Sequence, residues 1–134
     1  MSPDNVELLR GAFESFLAGE RDFGVELMHP EVEWDSSGLS LLDIGGIYRG
    51  HEGVRQFWRD WLYAWETVQF DYELIGAGDR VVALIDQRMR GRSTGIEVAL
   101  GKYAHVYTFR DGLVVHWKGY ESQSEALEAV ELRE

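Results

Sequence analysis

The sequence predicts a single α+β domain in which a strongly bent antiparallel sheet wraps around N-terminal helices. Three observations carry this. The longer helical patterns lie in the first half of the chain. Residues 67 to 121 then read as four consecutive strands. Between them a helix places three tryptophans on one face, and such a face needs the broad apolar partner that a curved sheet supplies. With 134 residues, 45% of them hydrophobic and 13% aromatic, the chain can bury one sizeable core. No linker or repeat divides it, so residues 1–134 are read as one domain.

Val6, Leu9, Phe13, Phe16 and Leu17 recur at three- and four-residue steps between Pro3 and Gly19, predicting an amphipathic helix. Asp4 and Glu7 have the spacing of a capping box, which would start that helix slightly later than Pro3. A short helix is expected from Asp22 to Met28, burying Phe23 and Leu27 and ending by His29 because Pro30 comes next. "EVEW" alternates and predicts a strand showing Val32 and Trp34 to one side. The glycine-rich stretch from Asp35 to Gly50 has no period and reads as a long loop near a site or rim. It leads to a helix over about Glu52 to Trp65, where Val54, Phe57, Trp58, Trp61, Leu62 and Trp65 form one stripe.

The four strands run from Val68 to Leu74, Val81 to Arg90, Ile96 to Arg110 and Leu113 to Glu121. The second shows Ala83, Ile85, Gln87 and Met89 to one face, and Asp86, Arg88 and Arg90 to the other. "SEALEAV" closes the chain as a short helix.

Composition narrows the function. Thirteen basic against twenty-four acidic residues give a net charge of −11, which repels nucleic acid and anionic lipid heads. The absence of cysteine excludes disulfides, thiolate nucleophiles and cysteine-held metals. The N-terminus lacks the basic start and apolar run of a signal peptide, and no stretch approaches the ~18 apolar residues of a membrane span. A soluble cytoplasmic protein with neither nucleic-acid nor membrane partners is expected.

Several apparent motifs carry no chemistry. "GAGDRV" begins like a dinucleotide fingerprint, but it lacks the third glycine and joins two strands, so it reads as a hairpin turn. Ser36 and Ser37 have no nucleophile-elbow sequence around them. His29, His51, His105 and His116 show no close metal-ligand spacing.

The "RDG" turn decides whether His105 and His116 share a face. A two-residue loop at Asp111 and Gly112 would pair Phe109 with Val114 and point both histidines the same way. A type I turn with Gly112 in a bulge would set Tyr107 against Val115 and His105 against Trp117, turning His116 outward. The bulged register is expected, because it buries Trp117 and exposes Lys118. A metal site is therefore not expected.

The inward positions then gather Trp34, Phe57, Trp61, Ile85, Met89, Tyr103, Tyr107 and Trp117 around polar Gln87 and His105, with Tyr48 entering from the loop. A mostly apolar cavity with few polar groups suits a small hydrophobic ligand. His105, with an ordinary pKa near ~6.5, is the candidate general acid/base, and Asp35 or Glu121 the candidate carboxylate that orients it. A tyrosine could donate to a developing enolate oxygen. The plainer reading makes His105 a core residue hydrogen-bonded to a tyrosine, Asp35 a loop cap and Glu121 a solvated strand end.

Four stretches, "SPDNVELLRGAFESF", "HPEVEW", "GGIYRGHEGVRQFW" and "HVYTFRDGLVVHWKGYES", make nearly the whole chain resemble the SnoaL-like members of the nuclear transport factor 2-like superfamily. The resemblance implies a cone-shaped, cystatin-like α+β fold with an apolar pocket at its wide end, commonly in homodimers. Related enzymes include polyketide cyclases, ketosteroid isomerases, epoxide hydrolases and dehydratases, and they work without a cofactor. On this resemblance His105 falls where isomerases keep an acidic oxyanion donor and cyclases a polar group. Trp34 or Asp35 falls near the isomerase base, and Gly119 or Glu121 near the acid of cyclases. The expectation is a cofactor-free cyclase, isomerase or lyase acting on a small hydrophobic carbonyl compound. The alternative is a non-catalytic ligand-binding or dimerisation module.

Overall fold

The computed structural model describes residues 2–19, 24–37, 46–63, 65–92 and 94–131. Helix α1 (Ser2–Leu17) begins with Pro3 in its first turn, where a missing N–H costs no hydrogen bond. Asn5, Leu9 and Phe13, four residues apart, form its buried stripe. Of the short helix expected next, Asp22 and Phe23 lie outside the described residues. The remainder is a single 3₁₀ turn, Val25–Leu27, entered through Gly24 at φ 69°. A left-handed residue there breaks an α-helix, so the segment is shorter than expected, and Met28 already belongs to a strand.

Strand β1 (Met28–Asp35) buries Val32 and Trp34 completely, as the alternation predicts. The residues after Ser37 up to 45 lie outside the described set, and β2 (Ile47–Arg49) closes the expected loop. Helix α2 (Gly50–Tyr63) buries Val54, Phe57 and Trp61. Trp65 does not extend it: that residue opens β3 (Trp65–Ala77) and pairs with Gly91. The Arg92 guanidinium donates to the carbonyls of Tyr63, at 3.2 Å, and Trp65, at 3.0 Å, clamping the helix end to the strand start.

Strands β4 (Arg80–Gly91), β5 (Glu97–Arg110) and β6 (Leu113–Tyr120) complete a six-stranded curved sheet of order β2-β1-β6-β5-β4-β3. Among the described strands the pairings are antiparallel except β1 with β6, which is parallel, so the wholly antiparallel sheet expected from the sequence is corrected at this joint. The concave face holds the main core against α1 and α2. Helix α3 (Gln123–Glu131) covers part of the other face, packing Ala126 and Val130 over Val82, Ala104 and Val106. Two covered faces explain why Val81, Val82 and Ala83 are all buried in succession.

The β5–β6 turn departs from the expected register. Asp111 (φ 55°) and Gly112 (φ 81°) both take positive φ, the geometry of a two-residue type I′ hairpin, so Arg110 pairs with Leu113 and Phe109 with Val114. The bulge sits one step further on, at Val115, after which Thr108 pairs with His116 and Tyr107 with Trp117. The extra residue restores the parity that the turn alone would have reversed. His105 therefore shares the inner face with Trp117 although its ladder partner is Gly119, while His116 turns outward and meets Glu33 at 3.3 Å. Among the described residues no helix is long and apolar enough to cross a membrane.

Candidate functional site

The concave face encloses a cavity of about 60 Å3. Helix α1 contributes Leu9, Ala12, Phe13 and Phe16 to its wall, and α2 contributes Trp58 and Trp61. The sheet adds Met28, Trp34, Phe70 and Ile85, together with Gln87, Tyr103, His105 and Tyr107. Ala12, Phe16, Trp58 and Phe70 are only partly buried, so the cavity approaches the surface between α1, α2 and β3. There the Phe16 ring lies 5.9 Å from Trp58 and 6.0 Å from Phe70, centroid to centroid. Pockets for drug-sized ligands measure about 300–1,000 Å3, so this cavity suits a much smaller molecule.

Of the residues expected to bind a ligand, Trp34, Trp61, Ile85, Gln87, Tyr103 and Tyr107 line the cavity with His105. Four others stand behind the wall or beside it. Phe57 packs against Trp34, Trp117 and Tyr48, and Trp117 stacks on Trp34. Met89 accepts a contact from Gln87 Nε2 at 3.1 Å. Tyr48, half-buried on β2, packs edge-on to Phe57 at 5.5 Å. Sequence reasoning misses the contribution of α1 and of Met28, Trp58 and Phe70. The signal for α1 is present in the Leu9, Phe13 and Phe16 stripe, which sequence alone assigns to core and not to a wall.

The polar groups form two pairs. The Tyr103 hydroxyl donates to Gln87 Oε1, which answers how a buried amide on an apolar face is satisfied. His105 Nδ1 lies 3.3 Å from the Tyr107 hydroxyl. His105 is 4% exposed, and burial drives its pKa down to about 3, so the ring is neutral at physiological pH. Burial pushes both tyrosines well above their ordinary range; the charge of Tyr107 adds to this for Tyr103, and the nearby Trp117 indole opposes it for Tyr107. Nε2 of His105 has no hydrogen-bond partner among the described residues.

The expected carboxylates do not reach this histidine. Asp35 sits at the end of β1 on the outer side of Trp34, where its Oδ1 accepts from the Ser37 amide at 2.9 Å and the Ser37 hydroxyl at 2.6 Å. Burial alone would raise its pKa, but those bonds and the charges of Lys118 and His116 lower it overall. Asp35 thus caps the loop. Glu121 is exposed one residue beyond β6. No ionised side chain is among the described residues of the cavity wall, and no group of three or more metal-ligating side chains converges among the described residues.

The model of the SnoaL-like domain matches residues 9–117. The chain belongs to this family. A nuclear transport factor 2-like protein of unknown function from Burkholderia pseudomallei is 25% identical, with 95% of this chain and 97% of that one aligned at a TM-score of 0.77. TerC, crystallised with polyporic acid, is also 25% identical, covering 96% and 98% at a TM-score of 0.75. A polyketide cyclase-like protein from Xanthomonas campestris, 18% identical, covers 96% and 98% at 0.75 and shares the fold. No functionally curated protein matches the sequence. The SnoaL-like chain thus has the curved α+β architecture of this superfamily.

Proposed function

We propose that the cavity of this SnoaL-like chain binds a small, uncharged, largely apolar carbonyl compound, with His105 meeting its oxygen, and promotes a cyclase-, isomerase- or lyase-type reaction without a cofactor. One observation carries the reading: a buried histidine keeps a ring nitrogen unengaged on an aromatic wall that has no ionised side chain among the described residues. Such a wall disfavours charged ligands, whose desolvation nothing there would offset. A preorganised polar group at a carbonyl oxygen helps most as negative charge develops on it. The relative crystallised with polyporic acid supports occupation of this fold by a small molecule. Asp35 and Glu121 are left out of the proposed mechanism.

A second reading is favoured by one specific observation, the lack of a carboxylate among the described cavity residues to take a proton from carbon. On that reading the chain holds a metabolite and transforms nothing. Cyclopentanone in D2O separates the two. Saturable binding with accelerated deuterium uptake at the α-carbon, the α-proton passing to solvent water while His105 donates to the enolate oxygen, and loss of that uptake in His105→Asn, support catalysis. Binding without exchange supports the module, and no saturable binding of this or other small ketones overturns both.

A further inference from the structure

The hydrogen bonds open to Tyr107 decide which proton His105 carries. A phenol is one donor and an acceptor, an indole N–H only a donor, and a neutral imidazole has a single N–H. Tyr107 is buried, and among the described residues its hydroxyl has one hydrogen-bond partner, His105 Nδ1 at 3.3 Å. Trp117 is the cross-strand partner of Tyr107, and its buried Nε1 makes no hydrogen bond among the described residues. If Nδ1 carried the proton, the phenol oxygen would face two N–H groups while its own proton had no acceptor. If Nδ1 is bare, the phenol donates to it and leaves its oxygen toward the indole, and the imidazole proton left without a protein acceptor is the one on Nε2 of a ring that lines the cavity.

We infer, on the functional reading above, that Tyr107 holds His105 as the tautomer protonated at Nε2, so that the cavity presents one oriented N–H donor and selects uncharged compounds with an oxygen acceptor. Tyr107 and Trp117 are then positioning residues, and His105 works as a neutral donor in place of a proton-storing base. The burial that keeps the ring uncharged supports this role, since a neutral imidazole still donates a hydrogen bond to an oxygen on which charge develops. Gln87 and Tyr103, satisfied by each other, do not compete for the same acceptor. The selected ligand class is therefore narrower than hydrophobic: ketones, aldehydes, quinones and epoxides qualify, whereas amines, carboxylates and plain hydrocarbons do not.

Long-range ¹H–¹⁵N correlation spectra of the full, ligand-free chain at neutral pH read the tautomer directly, with His105 assigned by through-space contacts to the Trp117 ring. The expected spectrum has Nδ1 unprotonated and Nε2 protonated. A protonated Nδ1, or an imidazolium, overturns the inference. In Tyr107→Phe the tautomer ratio should move toward a mixture, and an unchanged ratio would show that Tyr107 does not set it. Cyclopentanone should shift the Nε2 resonance and bind roughly 3- to 10-fold tighter than its hydrocarbon isostere methylenecyclopentane; equal affinities contradict the proposed selectivity. Failure of both probes to bind would count against the functional reading, with the tautomer already decided by the ligand-free spectrum.

Discussion

Trp34 on β1 and Trp117 on β6 stack face to face, with ring centroids 4.4 Å apart and planes within 3°, at the register where these two strands run parallel. Both indoles are buried, and both Nε1 atoms lack a hydrogen-bond partner among the described residues. The stack closes the joint between the N-terminal strand and the hairpin that carries His105, whose ring lies 4.7 Å from Trp117. Trp34→Ala should cost about 3–5 kcal/mol through cavity formation. Trp34→Phe should cost markedly less, because it keeps aromatic packing and removes an unsatisfied donor. Denaturant unfolding of the two variants checks the ordering.

The depressed pKa of His105 links stability to pH with a definite sign. The folded ring titrates at about 3 and the unfolded one near its ordinary 6.5, so between these values the unfolded chain binds more protons. Stability from this group is fully present above pH ~6.5 and is lost as pH falls toward the folded pKa, by about 1.4 kcal/mol per pH unit at most. His105→Gln should remove that slope. Unfolding free energies for both proteins from pH 7 to pH 4.5 test it, and parallel curves would deny that the ring is buried neutral.

Gln87 and Tyr103 form a closed pair on the cavity wall. Gln87→Leu strands the buried Tyr103 hydroxyl and should cost about 1–3 kcal/mol. Tyr103→Phe added to it should recover part of the loss, giving a coupling of about 0.5–3 kcal/mol in a double-mutant cycle. Additive costs would mean the bond does not form.

Asp35 is held by Ser37 on the outer side of the sheet. Asp35→Asn should lower stability by about 1 kcal/mol near neutral pH and leave cyclopentanone affinity unchanged. Because the folded pKa lies below 3.8, that contribution is present above the ordinary value and is lost as pH falls through the folded one. Calorimetric titration of the variant with cyclopentanone is the check, and a large loss of affinity would return Asp35 to the site.

Much of this arrangement was legible because alternation reports burial. Ala83, Ile85, Gln87 and Met89 face inward as their spacing requires, and so does His105. The path to His105 was less direct. "DG" calls for a type I′ turn, which by itself would have put His116 inside; the bulge at Val115, which no residue type announces, reversed that. Trp65 satisfies the helical spacing of Trp58 and Trp61 equally well as a first strand residue, and only tertiary clamping by Arg92 distinguishes them. Which carboxylate approaches a histidine depends on sheet curvature and strand ends. Spacing therefore drew Asp35 and Glu121 toward a ring that Tyr107 occupies.

The central claim is that a small carbonyl compound enters the aromatic cavity and meets His105. Titrating ¹⁵N,¹³C-labelled protein with cyclopentanone and mapping the shifted resonances tests it most directly. Saturable shifts should cluster at Phe13, Trp58, Trp61, Gln87 and His105, all on the cavity wall, and His105→Asn should weaken the titration several-fold. Shifts confined to the outer face around Glu33, Asp35 and His116, or shifts that never saturate, would contradict it.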